Sequence, residues 1–226
     1  MEAIVVRGQF HWGFAIREPL QSALQSPLFL PPPGTLIGAL ARAVEKVESR
    51  RYGGLEDKIK WAAFGFDEKI PGLSLTSLAI VDINRHLKAP YSRKERRSLP
   101  EYKFAAVPTG KVYVPAFKVV LLYLGEGISR LGQAAWGISR LGSKESLFTV
   151  LEVQMCRVTE RKDGELNTSL YVPKDKASPL VPDNVMELEL WRQEGEKVKV
   201  YAPRMLEEVP YKAERVEICD QQYVKI

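Results

Sequence analysis

Apolar positions along the chain follow two rhythms, one of strands and one of helices. Ile4 to Ile16 is rich in β-branched and aromatic residues and predicts a strand kinked at Gly8 or Gly13. Pro31-Pro32-Pro33 withholds helix until the prolines end. From Thr35 to Arg50 the residues Leu36, Ile37, Leu40, Val44 and Val47 recur at helical spacing, with Arg42, Glu45, Lys46 and Glu48 on the other side. Thr35 is placed to cap that helix. Gly53-Gly54 ends the unit, and Leu55 to Ala63 predicts a short helix. Leu73 to Ile83 predicts a second strand, apolar on both sides like a central strand, and Lys111 to Leu124 a third. Ile128 to Leu141 carries a helical stripe of Ile128, Leu131, Ala135 and Ile138, and Leu147 to Val158 predicts a fourth strand. Strand, helix, strand, strand, helix, strand is the order of an α+β, ferredoxin-like (RNA-recognition-motif-like) domain.

Beyond Val158 the helical rhythm stops. Short strand candidates at Leu166–Val172, Val185–Trp191, Val198–Tyr201 and Val216–Val224 alternate with turn signals such as Asp163-Gly164 and Glu194-Gly195. The expected organisation is a ferredoxin-like domain over residues 1–158, interrupted by an insertion at about 84–110, and a small β-rich appendage over 159–226.

Composition adds a partner. The chain has 226 residues, 45% hydrophobic and 27% charged, which excludes a disordered or collagen-like protein. No apolar run approaches the roughly 20 residues that span a bilayer, and the start reads as a strand and not a signal peptide, so no membrane role and a cytoplasmic location are expected. Cys156 and Cys219 lie far apart without a Cys-x-x-Cys pairing and read as two buried thiols. With only His11 and His86 beside them, neither a metal site nor a cofactor is expected. The net charge of +5 is concentrated. Arg85, Lys88, Arg93, Lys94, Arg96, Arg97 and Lys103 stand against only Glu95 and Glu101, with Tyr91, Tyr102 and Phe104 interleaved. Basic side chains meet phosphates and aromatic rings stack on splayed bases, so this insertion is a candidate RNA-binding arm. A merely solvated charged loop is the alternative.

The segment Arg140-Leu141-Gly142-Ser143-Lys144-Glu145-Ser146 leaves the second helix. A positive φ at Gly142 would let Ser143, Lys144 and Ser146 donors line an anion-binding nest, with Arg140 and Lys144 adding charge. No nucleotide-triphosphate loop, nucleophile elbow or triad spacing occurs, and the aromatic signature of the RNA-recognition-motif sheet is absent, which moves any RNA contact to loops and the insertion. His86, beside Lys88 and Tyr91, is the better placed histidine for acid–base chemistry.

Gly13-Phe14-Ala15-Ile16-Arg17-Glu18-Pro19, then Leu30-Pro31-Pro32-Pro33-Gly34-Thr35-Leu36-Ile37-Gly38-Ala39-Leu40-Ala41, together with the glycine turn at 140–146, resemble the CRISPR-associated Cas-five family of the RAMP superfamily. The low Asn count points to an archaeal, type I-A Cascade member. The resemblance implies a non-catalytic subunit that caps the 5′ handle of the CRISPR RNA (crRNA) and contacts a Cas-seven backbone subunit and a large subunit, its insertion forming a thumb. The RNA-binding candidates are then Arg17, Lys88, Tyr91, Arg93, Lys94, Arg96 and Arg97 with Arg140, Gly142, Ser143, Lys144 and Ser146. One branch of the family cleaves precursor RNA with a Tyr/Lys/His-type site, and no such constellation is found in this sequence. A metal-independent endoribonuclease and a purely protein-binding subunit remain the alternatives.

Overall fold

The computed structural model describes residues 1–16, 28–49, 54–87, 104–114, 117–161, 164–193 and 195–226. In chain order the elements are β1 (Glu2–Phe10), β2 (Gly13–Phe14), α1 (Pro33–Glu48), α2 (Leu55–Lys58), β3 (Ile59–Phe66), β4 (Ala79–Leu87), β5 (Phe104–Tyr113), β6 (Lys118–Gly125), α3 (Gly132–Ala135) and β7 (Phe148–Glu160). Eight short strands follow: β8 (Gly164–Thr168), β9 (Val172–Pro173), β10 (Ala177–Pro179), β11 (Val185–Gln193), β12 (Glu196–Pro203), β13 (Val209–Ala213), β14 (Arg215–Ile218) and β15 (Gln221–Val224). The chain is mostly β.

Its main sheet is six-stranded, in the order β15-β14-β7-β1-β6-β3, with every neighbouring pair antiparallel. β1 and β6 are central, and their runs Ala3–Val6 and Val119–Leu124 are buried on both sides. Alternation sends Ile4, Tyr123 and Ala62, which share a register row, to one face, and Ala3, Leu124 and Trp61 to the other. The first face is covered by α1: Tyr123 Oη donates to Leu36 O at 3.1 Å. On the second face the sheet curls until its two edges meet. Trp61 of β3 donates its indole N–H to Tyr223 Oη of β15 at 2.8 Å, and Tyr223 Oη donates to Tyr171 O at 2.6 Å. Tyr171 Oη in turn lies within hydrogen-bond reach of Pro31 O and Ala62 O, at 3.2 and 3.3 Å. The exposed side of β3 is covered as well, by a bridge between Gly65 and Leu170 and a bond from Tyr171 N–H to Phe64 O.

Several expectations are corrected. The prolines do not delay α1; Pro33 opens it, because a first-turn residue needs no N–H partner. Thr35 therefore sits inside the first turn, its N–H bonded to Pro32 O, and does not cap the helix. Leu55–Ala63 is not a helix beyond Lys58. Ile59–Phe66 is the edge strand β3, where aromatic side chains and burial on both sides override the helix propensity of Ala62-Ala63. Leu73–Ile83 is not a central strand: a 3₁₀ turn at Leu75–Leu78 precedes β4, which among the described residues pairs only with β5 and leaves Ile80 and Val81 exposed. The predicted third strand is two strands, β5 ending at Tyr113 and β6 starting at Lys118. The second helix shrinks to a 3₁₀ turn (Ser129–Leu131) and the single turn α3; Gly137 and Ile138 N–H groups bond back only three residues, to Ala134 O and Ala135 O, and Arg140 already bridges Leu147. No helix among the described residues is long and apolar enough to cross a membrane.

Cys156 and Cys219 are bonded as a disulfide, not two thiols; their Cα atoms are 5.6 Å apart. Pairing of β14 with β7 brings Ile218 opposite Val158, which carries Cys219 to Cys156 across 63 residues of sequence. Cys219 occupies the β14–β15 turn with a left-handed φ of 53°. Closing a loop of that length stabilises by about 4 kcal/mol in the chain-entropy model. Cys219→Ser should therefore lower unfolding free energy by about 2–4 kcal/mol in urea, and dithiothreitol should destabilise the native chain but not the variant. A second expectation concerns alkali. Burial raises the Tyr123, Tyr171 and Tyr223 hydroxyls well above their ordinary value. In the unfolded chain they ionise near pH 10. Their neutral-form stability is thus complete below about pH 10 and is lost as pH rises beyond it. Melting temperature should fall steeply there, with the tyrosinate absorbance of these three residues appearing only as the chain unfolds.

Candidate nucleic-acid interface

The glycine turn is held by a small hydrogen-bond system. Gly142 has φ +100°, and a Cβ there would lie 2.7 Å from Ile16 Cγ1. Immediately after it, Ser143 N–H donates to Ala15 O at 3.1 Å, and Ala15 N–H donates to Ser146 Oγ at 3.0 Å. The two serine hydroxyls lie 3.0 Å apart, and Ser146 N–H is bonded to Ser143 O. Ser146 is fully buried. These donors are turned inward, so they clip the turn to the residues after β2 and do not form the open nest expected from the sequence. What they present outward is Arg140 and Lys144.

Both cations line a groove of about 410 Å³. Its long wall is α1, which contributes Gly34, Thr35, Gly38, Ala39 and Arg42; the opposite wall is Arg140, Gly142 and Lys144; Trp191 of β11 closes one end. Gly34 is required by that closure, because a Cβ would fall 2.3 Å from Trp191 Cζ3 and 2.5 Å from Arg192 O. The Trp191 indole N–H is buried and has no partner among the described residues. Lys46 Nζ reaches Ser139 Oγ at 3.1 Å and ties α1 to the turn.

The electrostatics follow from which charges are already used. The side chains of Arg42, Arg140 and Lys144 are exposed and make no ion pair or hydrogen bond among the described residues, and among those residues no carboxylate lines the groove. Glu145, between Lys144 and Ser146, is turned away to Lys111 at 3.1 Å. A larger groove of about 650 Å³ on the other side of β11 is rimmed by Lys60, Lys174, Lys176, Arg192 and Lys199. There Lys60, Lys174 and Arg192 are paired with Glu126, Glu187 and Glu196. Three unpaired cations around bare helix backbone make the smaller groove the better phosphate site.

Arg17, Lys88, Tyr91, Arg93, Lys94, Arg96 and Arg97 lie outside the described residues. The last six fall in sequence between β4 and β5, the two strands of a ribbon that pairs with β2 through β5. Nine paired residues make that ribbon roughly 30 Å long. His86 stands on β4 opposite Ala105; His11 Nε2 lies 2.9 Å from Thr149 Oγ1 and does not line the groove. Arg42 and Trp191 were not picked out by sequence. Arg42 was assigned only to a solvated helix face, and Trp191 reaches the groove by the packing of β11 on α1.

The groove joins the stretches that carry the family resemblance: the residues after β2, the Pro-rich approach with α1, and the glycine turn. No family model matches the chain. The CRISPR system aCascade subunit Cas5 1 of Saccharolobus solfataricus is 31% identical over 212 residues, covering 86% of this chain and 85% of that protein. This chain belongs to the Cas5 family. A second S. solfataricus protein, CRISPR-associated protein Cas5 3, is 32% identical over 172 residues and 72% of the chain. Among solved structures, a CRISPR protein from Archaeoglobus fulgidus matches 98% of this chain and 97% of its own, with a TM-score of 0.65 at 20% identity. A chain of a CRISPR RNA-guided surveillance complex matches 92% of this chain and 91% of its own, with a TM-score of 0.53 at 15% identity. The curled, mostly β architecture of this Cas5 chain is thus that of CRISPR RAMP proteins.

The turn offers a direct check of its geometry. Gly142→Val combines a left-handed backbone that β-branched residues resist with contact against Ile16. It should cost about 2–3 kcal/mol in urea unfolding, whereas Lys144→Ala, which removes an unpaired surface cation, should stay within about 0.5 kcal/mol of wild type.

Proposed function

We propose that this Cas5 chain is a non-catalytic RNA-binding subunit of a type I CRISPR Cascade complex that caps the 5′ handle of crRNA. The observation that carries the reading is the groove between α1 and the glycine turn, where Arg42, Arg140 and Lys144 stand unpaired beside bare helix backbone with no carboxylate among the lining residues. Unpaired Arg and Lys gain most from phosphate, because counterion release adds to each contact without an internal ion pair to break. The curated relative named as an aCascade subunit and the fold shared with a surveillance-complex chain support the same assignment.

In this reading the basic insertion carried by the β4–β5 ribbon is a second contact. Its Lys88, Tyr91, Arg93, Lys94, Arg96 and Arg97 engage RNA or a Cas-seven neighbour, and Arg17 joins from the segment after β2. The large subunit contacts the chain elsewhere. Ser143, Gly142 and Ser146 act by positioning the turn. The run β7-β1-β6-β3, with α1 crossing from β1 to β3 and α3 between β6 and β7, supports a ferredoxin-like unit at the core. Binding is favoured over cleavage because the groove's charged side chains are guanidinium and ammonium groups, which hold phosphates, and among the described residues no imidazole lines it.

The test is titration of labelled single-stranded CRISPR repeat RNA in EDTA, read by anisotropy and by gel. Wild type should retain RNA uncut. Replacing Arg42, Arg140 and Lys144 together by Ala should weaken binding at least tenfold. It should also reduce the slope of log K against log salt by about 2, from roughly 0.7 per phosphate contact on a single strand. Alanine at Arg93, Lys94, Arg96 and Arg97 tests the insertion separately. A single defined cut would replace this reading with the nuclease, and unchanged affinity in the groove variant would remove the groove from the interface.

A further inference from the structure

Gly38 is the sixth residue of the sixteen-residue helix α1, and the protein's own structure gives no reason for it. Glycine in a helix interior is the least favourable residue after proline, because it loses the most backbone freedom on folding. Such a residue persists where a positive φ, a close approach by another part of the chain or a kink demands it. Gly72, Gly127 and Gly195 have positive φ, and Gly34, Gly65, Gly125 and Gly132 each face an atom within 2.6 Å of a would-be Cβ. Gly38 has an ordinary helical backbone, and nothing among the described residues lies within 4 Å of the Cβ position. Of the glycines whose surroundings are described, it alone combines open space with unstrained backbone. That space is the floor of the groove, and Gly38 is exposed there.

Its neighbours say what the space is for. Gly34, Gly38 and Arg42 are four residues apart in sequence and share one helix face; Trp191 covers Gly34, so the bare backbone is at Gly38, one turn (about 6 Å along the axis) before Arg42, whose guanidinium is unpaired among the described residues. Arg140 and Lys144 stand on the opposite wall. The helical N–H of Gly38 is spent on the helix, so the residue supplies no donor. It supplies depth.

We propose that Gly38 is a specificity-determining residue of the RNA groove: the missing side chain lets the sugar–phosphate backbone of a single strand sit against α1, deep enough for direct contact with Arg42, Arg140 and Lys144. This rests on the RNA-binding reading of the groove. A methyl group at position 38 raises the strand by about the thickness of that group and replaces direct contacts by water-bridged ones. A larger side chain fills the floor. A groove of about 410 Å³ holds a short single-strand segment but not the girth of a duplex, so in this proposal the depth that Gly38 provides also selects single-stranded over double-stranded RNA.

The signature is that stability and affinity move in opposite directions. Both Ala and Leu are better helix formers than Gly, so Gly38→Ala and Gly38→Leu should keep or raise the melting temperature, by about 2–4 °C for a chain of this size. In the same preparations, single-stranded repeat RNA should bind about threefold more weakly to the Ala variant and at least thirtyfold more weakly to the Leu variant. The weak residual binding of the corresponding duplex should be unchanged. If Gly38→Leu binds single strands like wild type while the Arg42/Arg140/Lys144 variant loses affinity, the groove stands and the role of Gly38 is overturned. If neither variant changes affinity, the groove reading itself falls. Loss of melting temperature in both Gly38 variants would make the glycine structural and overturn the proposal, and the Ala variant decides the matter should Leu alone disturb folding.

Discussion

The structure depends on a buried chain of hydrogen bonds that closes a sheet on itself. Trp61 lies on one edge strand and Tyr223 on the other, five strands away by pairing, yet their polar atoms are 2.8 Å apart. Each link is satisfied by the next, through Tyr171 to the carbonyls of Pro31 and Ala62. Aromatic bulk fills the space inside the curl, and each polar tip finds a partner, so the burial carries little desolvation penalty. Removing any one hydroxyl strands a neighbour in the interior. The same chain reaches Pro31, two residues before α1 begins, and so it fixes where the helix leaves the sheet.

The groove follows from that placement. α1 is pinned from beneath by Tyr123, at its approach by Tyr171, and near its far end by Lys46 on Ser139. The glycine turn is pinned by Ser143 and Ser146 on Ala15. Two walls held by these bonds then face each other, with their cations unpaired among the described residues. The inward serines are what leave Arg140 and Lys144 outward, so the hydrogen bonding of the turn and the charge of the groove are one arrangement.

How much of this the sequence discloses depends on whether a signal is local. β1, its break before Gly13, α1 and β7 are legible because their periodicity lies within a few residues. Ile59–Phe66 is not, because Ala62-Ala63 suits a helix and only burial against β6 makes it a strand. The inflated second helix has the same cause in reverse: the stripe from Ile128 to Ile138 is apolar at helical spacing because those residues pack, not because the backbone between them is helical. Arg140, Gly142 and Lys144 were legible as a basic glycine turn, yet the fate of the serine donors depended on Ala15, 131 residues from Ser146. Arg42 and Trp191 needed the tertiary fold. The disulfide is legible only from the register of β14 on β7.

That disulfide has a topological consequence. It turns the chain from Cys156 to Cys219 into a covalent ring, and within the ring lie Tyr171, the keystone of the closed sheet, and Trp191, the end wall of the groove. A single backbone break anywhere among the turns between β8 and β13 would leave both halves tethered to the body of the molecule. Wall and keystone would then stay at the high local concentration of an intramolecular partner, and a nicked molecule would keep the parts from which its groove is built.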